Sequence, residues 1–208
     1  MLVEGDDDAR YLQIIFDRKN PSHSPNQIVF WSFRGIANIF EKIGTYKEVF
    51  NQFKNEKTLW EKSILLFDRD DFTAAQHTKL RTKLADKLGI PVYTWETYTL
   101  ESTVLTNTDT FIQVVASYLR TLGHLVDVGR LRSTIQNEMD ALLERCRARL
   151  DKKEHQTGIF VRLKDKRAKL QDRLDLHDII GPDATLWPDY FADAKEAIST
   201  RNVARFAG

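Results

Sequence analysis

Ser63–Phe72 reads SILLFDRDDF, and the fold turns on how this stretch is read. Four apolar residues, Ile64 to Phe67, run straight into three acids within four positions, Asp68, Asp70 and Asp71. A short unbroken apolar run is the signature of a strand buried on both faces, as in a parallel sheet covered by helices. Ligands of such sheets gather beyond the carboxyl ends of the strands, so the acids fall on the edge where chemistry is expected. Residues i and i+2 of a strand face the same way, which points Asp68 and Asp70 together. Two carboxylates a few ångströms apart do not both stay ionised unless a cation lies between them or one takes a proton. With oxygen ligands alone, that cation is a hard one: Mg²⁺, Mn²⁺ or Ca²⁺.

The neighbouring segments supply the rest of a sheet. Gln27–Phe33, QIVFWSF, is rich in β-branched and aromatic residues and reads as a buried strand. Ile90–Trp95, IPVYTW, reads as another, and Met1–Val3 as the stub of a first. EGDDDARYLQIIF is expected to be a helix capped by Asp6 or Asp7, with Tyr11, Leu12, Ile15 and Phe16 as its apolar stripe. After Gly35, the residues Ile36, Ile39, Phe40, Ile43, Tyr46 and Phe50 recur at helical spacing. Thr73–Leu88 aligns Leu80, Leu84 and Leu88 and stops at Gly89. Strand and helix alternate, so the expected class is α/β, with a mainly parallel sheet flanked by helices.

The second half changes texture. DTFIQVVASYLRTLG and RLRSTIQNEMDALLERCRARL read as helices, the latter with Leu131, Ile135, Met139, Leu142, Cys146 and Leu150 on one side. IFVRLKDKRAKLQDRLD reads as a third, HDIIGPDATL as a return to the sheet, and WPDYFADAKEAI as a closing helix. The expected organisation is an α/β core over 1–105, a helical insertion over 106–178, and a return to the core with a C-terminal helix over 179–208. At 208 residues, 42% hydrophobic and 29% charged, the chain has the composition of an ordinary globular protein. It has no apolar run long enough to span a membrane and no signal-peptide pattern, and its single cysteine, Cys146, suits a reducing, cytoplasmic setting. Only three residues precede Glu4, so the chain is expected to be a piece of a longer protein with an introduced methionine.

A second acidic group stands at the first strand. Glu4 ends it, Gly5 allows a tight turn, and Asp8 lies one helical turn further on. Glu4, Asp8, Asp68 and Asp70 are thus expected at one sheet edge, with more negative charge than one divalent ion neutralises. Two ions would answer it better, and that arrangement cuts phosphodiesters.

The combination LVEGDDDARYL and ILLFDRDDF resembles the Toprim domain of topoisomerases, bacterial primases, recombination mediators and the OLD (overcoming lysogenization defect) nucleases. Its E-G motif stands here as Glu4–Gly5 and its D-x-D as Asp68–Arg69–Asp70. Asp8 and the Leu100–Glu101 pair of YTLESTVL are similar to features of the OLD-like branch. The resemblance covers 1–105; the helical half matches in outline. It implies a Toprim-type fold with a helical insertion subdomain. It also implies the nuclease part of an ATP-dependent endonuclease of a kind linked to phage defence, with an upstream ABC-type ATPase region of the same protein. This chain has no G-x-x-x-x-G-K-S/T. The implied cofactors are two divalent ions, Mg²⁺ or Mn²⁺, with Ca²⁺ as a non-productive or auxiliary ion. The implied ligands are Glu4, Asp8, Asp68, Asp70 and Glu101, with Glu4 also a general base and Asp71 a supporting residue or helix cap. The family's late lysine, often after glycine, has no counterpart at Gly181–Pro182; Lys164, Lys166 and Lys195 are the nearby alternatives.

DNA is the expected partner, and a homodimer is a further expectation. Glu144–Arg173 holds eleven basic and five acidic residues, a solvated helix face or a phosphate-contacting one. Arg145, Arg149, Arg162, Lys164, Lys166 and Arg167 are the candidates for DNA. Two rival readings stand beside the nuclease. One is a haloacid-dehalogenase-type phosphatase with Asp68 as nucleophile and Asp70 as acid, against which stand the late position of the motif and the unused Glu4 and Asp8. The other is a non-catalytic Toprim-like module for DNA binding or dimerisation.

Overall fold

The computed structural model describes residues 1–24, 27–70, 74–159, 161, 192, 194–201 and 203. They fall into two compact units, the first taking in residues 1–95 and the second all the described residues from 96 on.

The first unit is an α/β structure around a four-stranded, all-parallel sheet. Its elements are β1 (Leu2–Val3), α1 (Asp6–Lys19), β2 (Trp31–Ser32) and α2 (Ile36–Gln52). They are followed by β3 (Lys54–Asn55), β4 (Lys57–Thr58), β5 (Leu65–Phe67), α3 (Ala74–Leu88) and β6 (Val92–Thr94). The sheet order is β2-β1-β5-β6, with Leu2 in register with Trp31 and Leu65, and Leu65 with Val92. All three residues of β5 are buried, as the apolar run SILLF demands. Leu65 and Phe67 share a core with Leu2, Val92, Ile39 and Ile43 of α2, and Leu80, Leu84 and Leu88 of α3. Trp60 fixes the approach to β5: its indole N–H donates to the Leu88 carbonyl at 3.0 Å in a buried position. The helix Ala74–Leu88 and its stop at Gly89, in the left-handed region at φ +68°, follow the expected pattern, with Thr73 outside the described residues.

Four features depart from the sequence reading. Gln27–Phe33 forms only the two-residue edge strand β2, with Val29 and Trp31 about half exposed; short strands are the usual way to blunt a sheet edge. Neither Asp6 nor Asp7 caps α1. The cap is Gly5, and Asp8, at the third helical position, takes the Gly5 amide. The expected stripe of α1 is not core, since Tyr11 and Ile15 are about half exposed and the one buried residue of that helix is Asp8. The antiparallel pair β3–β4 gives no apolar signal at all, both strands being polar and short.

The second unit is helical in its described residues: α4 (Leu100–Leu105), α5 (Thr108–Thr121) and α6 (Val128–Leu150). Asn107 and Asp127 cap α5 and α6 by accepting the amides of Thr110 and Arg130. The expected face of α6 is the inner one, with Leu131, Ile135, Met139 and Leu142 half-buried and Cys146 and Leu150 buried. Cys146 and Leu150 pack with Ile159, Ala194, Ile198 and Val203. HDIIGPDATL, IFVRLKDKRAKLQDRLD apart from Ile159 and Val161, and half of WPDYFADAKEAI lie outside the described residues. Among the described residues, no helix is long and apolar enough to cross a membrane.

Candidate acidic site at the sheet edge

The parallel register sets the ends of β1 and β5 side by side, with Val3 opposite Leu66. Glu4 and Asp68 are the residues that follow, and the structure brings them together. Glu4 Oε2 accepts the Asp68 amide at 3.1 Å, while the Glu4 carbonyl accepts the Gly35 amide beyond β2 at 2.8 Å. Glu4 is therefore tied by backbone to one neighbouring strand end and by side chain to the other. Glu4 and Asp68 are both half-buried.

Asp8 joins this edge through Gly5. Its Oδ2 accepts the Gly5 amide at 2.9 Å and would lie 3.0 Å from a Cβ on residue 5, so a side chain there would make the Asp8 carboxylate give way by a few tenths of an ångström. The opening of α1 thus carries Asp6, Asp7 and Asp8, where the positive end of the helix favours carboxylates.

Asp70 is placed differently from the expectation. Strand β5 ends at Phe67, and Asp70 sits in the following turn at φ +52°. Strand alternation therefore does not govern the Asp68–Asp70 pair. Asp71 lies outside the described residues. Glu101 is exposed in the first turn of α4, in the second unit. Among the described residues, no group of three or more His, Cys, Asp or Glu side chains is arranged to hold a metal ion.

Of the basic candidates, Arg145 and Arg149 are exposed on α6. Arg162, Lys164, Lys166 and Arg167 lie outside the described residues. Lys195 is engaged by both carboxylate oxygens of Asp151, at 2.7 and 2.8 Å. Burial pushes the Cys146 thiol up against the opposing pull of Arg149, Arg145 and Arg147, which keeps it protonated and inert.

Sequence reasoning passed over His77. It is buried at 9% exposure in the first turns of α3, with its ring 6.5 Å from that of Phe67, and its buried Nε2 has no hydrogen-bond partner among the described residues. Burial, then Arg69 and Arg81, lowers its pKa to about 4, so the imidazole is neutral near pH 7. The signal was present: the stripe Leu80, Leu84, Leu88, extended back by three residues, lands on His77.

Set against known proteins, the chain matches no family model, no curated protein and no solved structure.

Proposed function

We propose that the chain is a divalent-metal-dependent DNA endonuclease, the Toprim-type nuclease part of a larger OLD-like ATPase-nuclease that uses Mg²⁺ or Mn²⁺. The observation that carries this reading is the meeting of Glu4 and Asp68 across adjacent parallel strand ends, 64 residues apart in sequence. The bond from the Asp68 amide sets the Glu4 carboxylate against the residue that bears the second acid.

The donor set fits a hard cation by its chemistry, because Glu4, Asp8, Asp68 and Asp70 offer only oxygen. Glu4 and Asp8 each accept a backbone amide on one carboxylate oxygen, and a carboxylate has acceptor sites beyond one amide with which it would hold an ion. When bound, two such ions supply an activated water and offset charge developing at the phosphate. In this reading Glu4 and Asp68 hold the metal and Asp8 and Asp70 complete the set. Glu4 would also take the proton from the attacking water. Arg145 and Arg149 contact backbone phosphates, which calls for charge more than shape.

Cleavage of supercoiled plasmid in Mg²⁺ or Mn²⁺ tests it. Wild-type protein is expected to nick or linearise the plasmid, and Asp68→Ala or Glu4→Gln to lower the rate on the order of a hundredfold or more. Equal behaviour of wild type and Asp68→Ala would leave a non-catalytic DNA-binding or dimerisation module in its place.

A further inference from the structure

Beside the acidic edge, the first unit has a pocket of about 510 Å³ wrapped around the end of edge strand β2, a size within the usual range of small-molecule sites. Its wall is aromatic, from Phe30, Trp31, Phe33 and Tyr46, and its cations are Arg34 and Lys42. Trp31 leans edgewise on Tyr46 and Phe50, with ring centroids 5.5 and 6.1 Å away, yet stays 43% exposed. Tryptophan is highly buried on average, and here a firmly held indole is left open to solvent.

The cations are exposed, like Trp31 and unlike Phe33, which is buried. Lys42 is exposed, and Arg34 is 80% exposed with its Nε 3.1 Å from Asp6, itself 63% exposed. A surface pair of this kind contributes little, so a phosphate can take the place of Asp6 on the guanidinium.

We propose that this pocket is a subsite for an unstacked nucleobase on a single-stranded segment of the DNA substrate, with the adjoining phosphate on Arg34 and Lys42. Aromatic faces that stack bases, lined by basic residues that track the backbone, are the working parts of single-strand recognition. The position suits the chemistry proposed above, on which this inference rests. Asp6 on the rim is two residues from Glu4, and Gly35, next to Arg34, donates to the Glu4 carbonyl. A strand with one base seated against Trp31 leads its backbone toward the acidic edge. The preferred substrate is then DNA with unpaired nucleotides rather than uninterrupted duplex.

The test is binding without metal, so that it is read separately from cleavage. A fluorescein-labelled single-stranded oligonucleotide and the blunt duplex of the same sequence are titrated with the 208-residue protein in EDTA, followed by anisotropy. The single strand is expected to bind more tightly. Trp31→Ala is expected to weaken that binding about fivefold or more, while Trp31→Phe retains most of it. Arg34→Glu and Lys42→Glu, which alter exposed side chains, are expected to weaken it too; they keep the test decisive if Trp31→Ala does not fold. Unchanged single-strand affinity in folded Trp31→Ala and in both charge-reversal variants overturns the proposal, as does equal affinity for duplex. Loss of metal-dependent plasmid cleavage with single-strand binding intact supports the pocket and counts against the nuclease reading alone.

Discussion

His77 lies on the buried stripe of α3 with Leu80, Leu84 and Leu88, and its Nε2 is shielded from solvent with no hydrogen-bond partner among the described residues. Leaving a polar atom so placed costs on the order of 1–3 kcal/mol, and charging it beside Arg69 and Arg81 costs more. Its pKa is about 4 in the folded chain against 6.5 for an exposed imidazole. Between these values the unfolded chain binds a proton that the folded chain refuses. The stability this residue permits is therefore complete above about pH 6.5 and lost as the pH falls toward about 4. His77→Leu is expected to shrink the fall in stability between neutral pH and about pH 5, measured by urea unfolding at both. An equal fall in wild type and variant would mean that His77 does not titrate in this window. Asp70 presents another strain at the same scale, a non-glycine residue at φ +52°. Aspartate visits that region more readily than most residues, and backbone strain of this kind clusters at functional sites.

The joints between elements set the site more than the elements themselves. Gly35 caps α2 at φ +115° and ψ 148°, a region that only glycine enters without strain. A Cβ there would meet none of the described atoms within 4 Å, so the penalty for a side chain is one of backbone conformation. Gly35→Ala is expected to destabilise the protein by about 1–3 kcal/mol in denaturant unfolding. It should also lower plasmid cleavage beyond the loss of folded protein, because the Gly35 amide fixes the Glu4 carbonyl; a loss no larger than the unfolded fraction would remove that positioning role. The same joints explain what was legible in the sequence. Ile64–Phe67 and the Leu80, Leu84, Leu88 stripe could be read because burial on both faces of a strand, or on one face of a helix, leaves a pattern in residue type. Gln27–Phe33 misled because β-branched and aromatic residues report fitness for a strand, not its depth in the sheet. Polar β3–β4, closed by Glu56 at φ +60° rather than by glycine or asparagine, left no mark to read.

For the chain as a whole, the pairing of Glu4 with Asp68 was accessible from sequence because a parallel sheet must align the carboxyl ends of neighbouring strands. The place of Asp70 was not, since it hangs on a strand ending at Phe67 rather than two residues later. Nor does the sequence reveal that Glu4 and Asp8 satisfy backbone amides, which gives both carboxylates a structural task without a cation. That double task separates folding from ion binding in a measurable way. Asp68→Asn keeps the amide that Glu4 accepts but removes one negative charge from the edge. Without divalent ions its thermal stability is expected to equal or slightly exceed that of wild type, like-charge repulsion being relieved. With Mn²⁺ at a hundred times its dissociation constant, wild type should gain about 2.7 kcal/mol by mass action, and Asp68→Asn much less. Thermal unfolding of both proteins, with EDTA and across a Mn²⁺ titration, reads the two effects in one experiment. Equal Mn²⁺ stabilisation of the two would show that the ion binds elsewhere, and would leave Glu4 and Asp68 as a structural clasp between β1 and β5.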